Sequence, residues 1–200
     1  MINKQPFAEV IHSSLTGWTG QSWEWNIFPT FGSLLSITAN KKTWIGIVHY
    51  IQTGSPDTHR QPFIYKKTEK ELLQEQPHIF EFLQTTFECA TIGFFQDNHI
   101  EYRFAPTPPK IHSFIQPCSE SINKEFFAST AYLPLLFSHT ALTTHFEELC
   151  IAILAGQKQK GLLSEITIYE FLETLALLYG NDYRKLKIFS QRLLSLSLHA

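Results

Sequence analysis

The sequence predicts an α+β fold, a small N-terminal β-barrel followed by an α-helical C-terminal region. Three observations predict it. Residues 28–37 and 44–55 are rich in β-branched and aromatic side chains and flank the polar break Asn40-Lys41-Lys42, the pattern of a β-hairpin. The second stretch is apolar on both alternating faces, as expected of a strand covered on both sides in a barrel packed against something else. Beyond Pro117 the apolar residues recur at helical spacing. The expected organisation is a barrel over residues 1–117, carrying a helical insertion and an extra hairpin, and a helical domain over residues 118–200.

In chain order, residues 7–14 read as a first strand, and Trp23-Glu24-Trp25-Asn26-Ile27 alternates large apolar with polar, the spelling of a half-buried second strand. With the hairpin these make a set of strands on the scale of a small closed barrel. Gly54-Ser55-Pro56-Asp57 ends it with turn residues. Thr68 and Glu71 fit a capping box, in which hydroxyl and carboxylate satisfy orphan amides reciprocally, and Pro77 limits the helix that follows. Residues 87–95 and 100–104 form a further hairpin across Gln96-Asp97-Asn98-His99; its pairing with the first sheet is left open. Residues 106–109, Pro-Thr-Pro-Pro, make a stiff extended connector and the best candidate boundary. Leu142, Phe146, Leu149 and Ile153 form a helical stripe expected to stop at Gly156. Thr167 and Glu170 suggest a second capping box, Gly180 a stop, and Asp182 the cap of a last helix.

Composition sets the limits. Of 200 residues, 44% are hydrophobic and 14% aromatic, with 17 phenylalanines, so a core built around rings is expected. A net charge of -2 excludes a protein that is basic overall and holds nucleic acid by charge alone. The apolar runs fall far short of the roughly 20 residues that cross a bilayer, and the first residues carry no apolar signal region. A soluble, cytoplasmic protein without membrane contact is expected. Cys89, Cys118 and Cys150 are odd in number and widely spread, which suits buried thiols in a reducing compartment better than a disulfide frame or a zinc site.

Candidate chemistry is sparse. Residues 156–161 have the outer glycine spacing of a phosphate loop, but Leu162-Leu163 stands where lysine and a hydroxyl are required, so a solvated inter-helix loop is expected. His145 and Glu148 share a helix face at ligand spacing, in the reverse order to a diiron motif and without a partner pair, and read as surface groups. His112 and Cys118 form a base and nucleophile only with an orienting third group that the sequence does not supply. A histidine bonded to backbone and a buried cysteine are expected. No catalytic residue, metal or cofactor is therefore assigned.

The loop of residues 53–62 carries Asp57, His59 and Arg60 between prolines at a barrel end, where functional groups concentrate on rigid scaffolds. Together with His112 in the 106–112 connector, these are the candidate interaction residues, expected to form one partner-binding surface. The rival reading has Asp57 and Arg60 bracing the loop. Arg184, Lys185, Lys187 and Arg192 make the last helix the most basic element.

The string Phe28-Pro29-x-Phe31-Gly32-Ser33 followed by Gly46-Ile47-Val48 resembles the HAS-barrel, the small β-barrel that opens the subunits of ATP synthases and of certain ring-forming translocase ATPases. Four further strings are similar to stand-alone bacterial HAS-barrel proteins of unassigned role. They are Thr53-Gly54-Ser55-x-Asp57-x-x-Arg60-x-Pro62, Glu75-Gln76-Pro77-His78-Ile79-Phe80, Pro106-x-Pro108-Pro109-x-Ile111-His112 and Asn181-Asp182-Tyr183-x-x-Leu186. The ATPase proteins continue into a nucleotide-binding domain after the barrel; none is expected here, and no catalytic residue travels with the resemblance. What it implies is a fold and a docking role. The expected function is a non-catalytic adaptor working through protein contacts, with an ATPase or nucleic-acid machine as the implied kind of partner. A weak nucleic-acid binder using the basic last helix and exposed aromatics is the alternative, and an enzyme of unrecognised type comes third.

Overall fold

The computed structural model describes residues 5–57, 63–139, 142, 145–180 and 182–198, with side chains to Leu193. Seven strands lie among the described residues: β1 (Ala8–Ser13), β2 (Gly17–Ser22), β3 (Leu34–Ala39), β4 (Lys42–Gly54), β5 (Gln84–Gln96), β6 (His99–Glu101) and β7 (Phe114–Pro117). Every pairing is antiparallel, in the order β2-β1-β7-β3-β4-β5-β6. A further pairing of β2 with β5 closes six of them into a barrel. β6 lies outside the ring. It takes Phe94–Gln96 of the edge of β5 whose Thr86–Ala90 stretch holds β2. The second hairpin left open by the sequence thus contributes its long arm to the barrel itself.

Local chemistry explains these strands. The turns at Asn40-Lys41 and Asp97-Asn98 hold both central residues at positive φ, the geometry whose twist matches antiparallel hairpins and which Asn and Asp tolerate best. In β3, β4 and β5 one alternating set fills the barrel: Leu35, Ile37, Trp44, Val48, Phe87 and Phe94, joined by Val10, Trp18 and Ile115. The opposite set, Leu34, Ile45, Ile47, Ala90 and Ile92, joins the core formed with the helices. Both faces of this part of the sheet are buried, which is why β4 reads as apolar throughout.

The expected strand over residues 23–27 is instead a turn, with the amide of Ile27 on the carbonyl of Glu24 at 3.1 Å. Its aromatics alternate because they go to different neighbours. Trp23 donates its indole N–H to Glu9, while Trp25 stacks on Phe80. The true second strand, β2, holds two glycines that lower its β propensity. A Cβ at Gly20 would lie 2.5 Å from Ile115 Cδ1 and 2.6 Å from Phe87 Cζ, so the packed barrel interior requires the glycine that hides the strand.

The helices are α1 (Glu69–Glu75), α2 (Glu120–Phe127), α3 (Leu133–Ser138), α4 (Phe146–Gln159), α5 (Glu165–Tyr179) and α6 (Tyr183–Leu198), with a 3₁₀ turn over Pro77–Phe82. Both arms of the Thr68–Glu71 capping box form. The second box does not. α5 starts earlier, with Ser164 accepting from the amide of Thr167 at 3.1 Å. Gly180 ends that helix at φ 61, and Asp182 accepts from the amide of Lys185 at 3.1 Å as the cap of α6. Gly156 does not end α4, which runs on to Gln159. Most of the supposed glycine loop is therefore helix, and the left-handed stop falls at Gly161, φ 67.

Candidate interaction surface

The helical core covers the outer faces of β3, β4 and β5. On β1 and β7 the outward residues remain open. Glu9 pairs with Phe114 across the two strands, and Trp23, just past β2, lies against them. Trp23 and Phe114 are 53% and 55% exposed yet meet edge to face, with ring centroids 5.5 Å apart and planes at 90°. Such pairs are worth about 0.5–1.5 kcal/mol beyond the area they bury. Ile11 and Ile111 add further exposed apolar side chains near these strands.

The Glu9 carboxylate organises the patch. Oε1 accepts from Trp23 Nε1 at 3.2 Å, and Oε2 lies 3.2 Å from His112 Nδ1, so the imidazole donates when Nδ1 carries its proton. His112 sits at φ 64, a left-handed conformation in which histidine is enriched, and its backbone N–H is held on the carbonyl of Val10 at 2.9 Å. The expected side-chain bond of His112 to backbone is thus replaced by a carboxylate contact. Glu9 thus ties both the Trp23 indole and the His112 imidazole to β1.

The other sequence candidates fall elsewhere. Asp57 is exposed, its N–H on Ser55 Oγ at 3.2 Å. His59 and Arg60 lie outside the described residues. Strand directions alternate around the antiparallel ring, so β4 and β7 run in the same sense. Asp57 follows the end of β4 and His112 precedes the start of β7. Asp57 and His112 therefore occupy opposite ends of the barrel and do not share one face. The 106–109 connector crosses the His112 end. Trp44 Nε1 donates to the carbonyl of Thr107 at 2.9 Å and Ser13 Oγ to that of Pro109 at 2.7 Å, before the chain re-enters the ring as β7.

No nucleophile–base pair emerges from His112 and Cys118, which flank opposite ends of β7, about 20 Å apart along an extended strand. Desolvation pushes the buried Cys118 thiol up to about 12, and burial raises Cys89 and Cys150 as well. His145 precedes α4 rather than sharing its face with Glu148, and Glu148 accepts from Arg192 at 2.7 Å. Among the described residues no three His, Cys, Asp or Glu side chains gather as metal ligands. One histidine went unnoticed in the sequence. His49, at a bulge in β4, is brought to about 4, first by desolvation and then by the His139 ring 5.5 Å away, with Glu88 Oε2 4.0 Å from its Nε2.

Trp23 was also missed as a surface group, because an alternating aromatic in a strand-like segment reads as half-buried, and Phe114 because the short strand β7 gave no signal of its own. A carboxylate (Glu9) opposite an aromatic on paired strands becomes visible only once the β1–β7 register is known. No described helix is long and apolar enough to cross a membrane. Comparison of the chain with models of known protein families gives no match, and comparison with curated proteins gives none either.

Proposed function

We propose that the protein is a non-catalytic adaptor that binds a protein partner through the open β1–β7 face of its barrel. The observation that carries this reading is the Trp23–Phe114 pair, half exposed and locked by Glu9 beside His112. Aromatic side chains dominate binding energy at protein interfaces because they bury much area at little entropic cost, and a preset pair lowers that cost further. An ATPase or nucleic-acid machine is the kind of partner implied by the resemblance of the chain to HAS-barrels, and a closed six-stranded barrel is in keeping with it. The nucleic-acid reading receives less support. Of the four basic residues in α6, Lys185 pairs with Asp182 at 3.9 Å and Arg192 with Glu148 at 2.7 Å.

The test is quantitative recovery of proteins from a cell extract on immobilised wild-type chain and on the Trp23→Ala/Phe114→Ala variant. Both residues are exposed, so the variant is expected to melt within a few degrees of wild type. Partners retained on wild type and lost from the variant support the proposal, while identical recovery overturns it. Binding to labelled DNA or RNA that weakens steeply with salt would favour the alternative.

A further inference from the structure

The segment most distinctive in the sequence, Phe28-Pro29-Thr30-Phe31-Gly32-Ser33, plays no part in the β1–β7 face. It forms one wall of a cleft of about 450 Å³ between the barrel end and the helices. The buried Leu35 and Cys118 border it, and Phe28 contributes an aromatic wall. That volume is in the range that takes small molecules.

The polar groups of this cleft are few and held in place. Asn123 is buried, its amide nitrogen donating to the carbonyls of Cys118 at 2.9 Å and Ser119 at 3.1 Å. Its Oδ1 accepts from Lys160 Nζ at 3.2 Å, so a fixed amide draws the ammonium to the cleft wall. An ammonium has three N–H donors, and this bond uses one. Among the described residues lining the cleft, Lys160 carries the only charge. Ser33 also lines it, although its Oγ is itself buried, without a hydrogen-bond partner.

The wall is also rigid. Gly32 donates to the carbonyl of Val48 at 2.9 Å and Val48 donates back to that of Ser33 at 3.0 Å, tying the loop to β4. Gly32 stands at φ 80, and a Cβ there would come within 2.9 Å of Ala152 Cβ, so only glycine lets the loop lie this close against α4. Such preorganisation favours a specific ligand.

We infer that this cleft binds a small carboxylate with an apolar body, the carboxylate at the Lys160 ammonium and the body along Phe28. A single ammonium suits a monoanion better than a phosphate dianion, which takes arginine forks or rows of backbone amides. This inference is independent of the β1–β7 proposal and uses different residues.

The test is a titration of the isotopically labelled full chain, followed by amide NMR, with phenylacetate, its uncharged counterpart phenylacetamide, and inorganic phosphate. Phenylacetate is expected to give saturable shifts at Thr30, Ser33, Asn123 and Gly161 with a Kd in the millimolar range or tighter, and to bind at least about tenfold more tightly than the amide. Lys160→Met should remove that preference and leave the rest of the spectrum in place. Equal affinity for acid and amide, tighter binding of phosphate, shifts centred on Trp23 and Phe114, or no saturable shift would each overturn the inference. The acid–amide comparison in wild type decides the matter even if Lys160→Met folds poorly.

Discussion

Replacing Gly46 by alanine tests the packing of the barrel. Gly46 lies on β4 at a register shift in its pairing with β5, its α-carbon facing the ring of Trp18, a residue 2% exposed on β2. A Cβ built there falls 2.4 Å from Trp18 Cη2, 2.7 Å from Cζ2 and 3.0 Å from the carbonyl oxygen of Ala90. Carbon atoms in contact sit about 3.5–4.0 Å apart, so the methyl group overlaps the indole by more than an ångström. The indole cannot swing aside, because six paired strands enclose it. Overpacking of this kind costs about 1–3 kcal/mol, offset by about 0.4–1 kcal/mol from the smaller entropy of the unfolded chain. The net loss should be about 1–2 kcal/mol, read in a thermal melt as a fall of about 2–8 °C. Gly54→Ala, where the added atom meets nothing within 4 Å, is the control and should be neutral or slightly stabilising. Trp18→Phe removes the overlapping ring edge, so the double variant should be less destabilised than the sum of the two single changes, by at least about 0.5 kcal/mol. A Gly46→Ala protein as stable as wild type would refute a closed barrel filled by Trp18.

Four further outcomes are expected. His49 titrates near 4 in the folded protein and near 6.5 when unfolded, so the unfolded chain binds the extra proton between these values. Its contribution to stability is therefore complete above about pH 6.5 and falls as pH drops toward 4. His49→Gln should flatten denaturant-measured stability across that window, and an unchanged slope would contradict the assignment. Cys89, Cys118 and Cys150 are buried with raised thiol pKa values, so a thiol reagent should label none of them rapidly in the native protein and all three in denaturant. Ser164→Ala should cost about 1 kcal/mol through loss of the α5 cap, whereas Glu170→Ala, outside the cap, should cost little by the same melt. Residues 1–117 expressed alone should keep β-sheet circular dichroism but self-associate in ultracentrifugation. Removing the helices would uncover Leu34, Ile45, Ile47 and Ile92 on the barrel exterior. A soluble random coil would contradict an autonomous barrel.

What the sequence made legible follows from where its signals are local. The hairpin turns, the Thr68 cap, the Gly180 stop and the two-faced β4 each depend on neighbours within a few residues, and each stands in the structure. Gly17 and Gly20 concealed β2 because their role is set by Phe87, Cys89 and Ile115, which only the closed ring brings near. Trp23 and Trp25 mimicked a strand because two indoles served two distant partners. The cleft is legible only in part. Phe28 to Ser33 stood out, but Asn123 and Lys160 reach it from α2 and the end of α4, across a separation no periodicity reports. Asp57 and His112 do not share a face for reasons of topology, since strand sense, not loop composition, decides which barrel end a loop occupies.

The most direct measurement of the proposed docking role is site-specific photo-cross-linking of the full chain in its native extract. A benzoylphenylalanine replaces Phe114 in one protein and the more exposed Tyr183 of α6 in another. A discrete covalent adduct is expected from position 114 and none above background from position 183. Adducts confined to position 183, or equal at both, would contradict the assignment of the β1–β7 face as the binding surface.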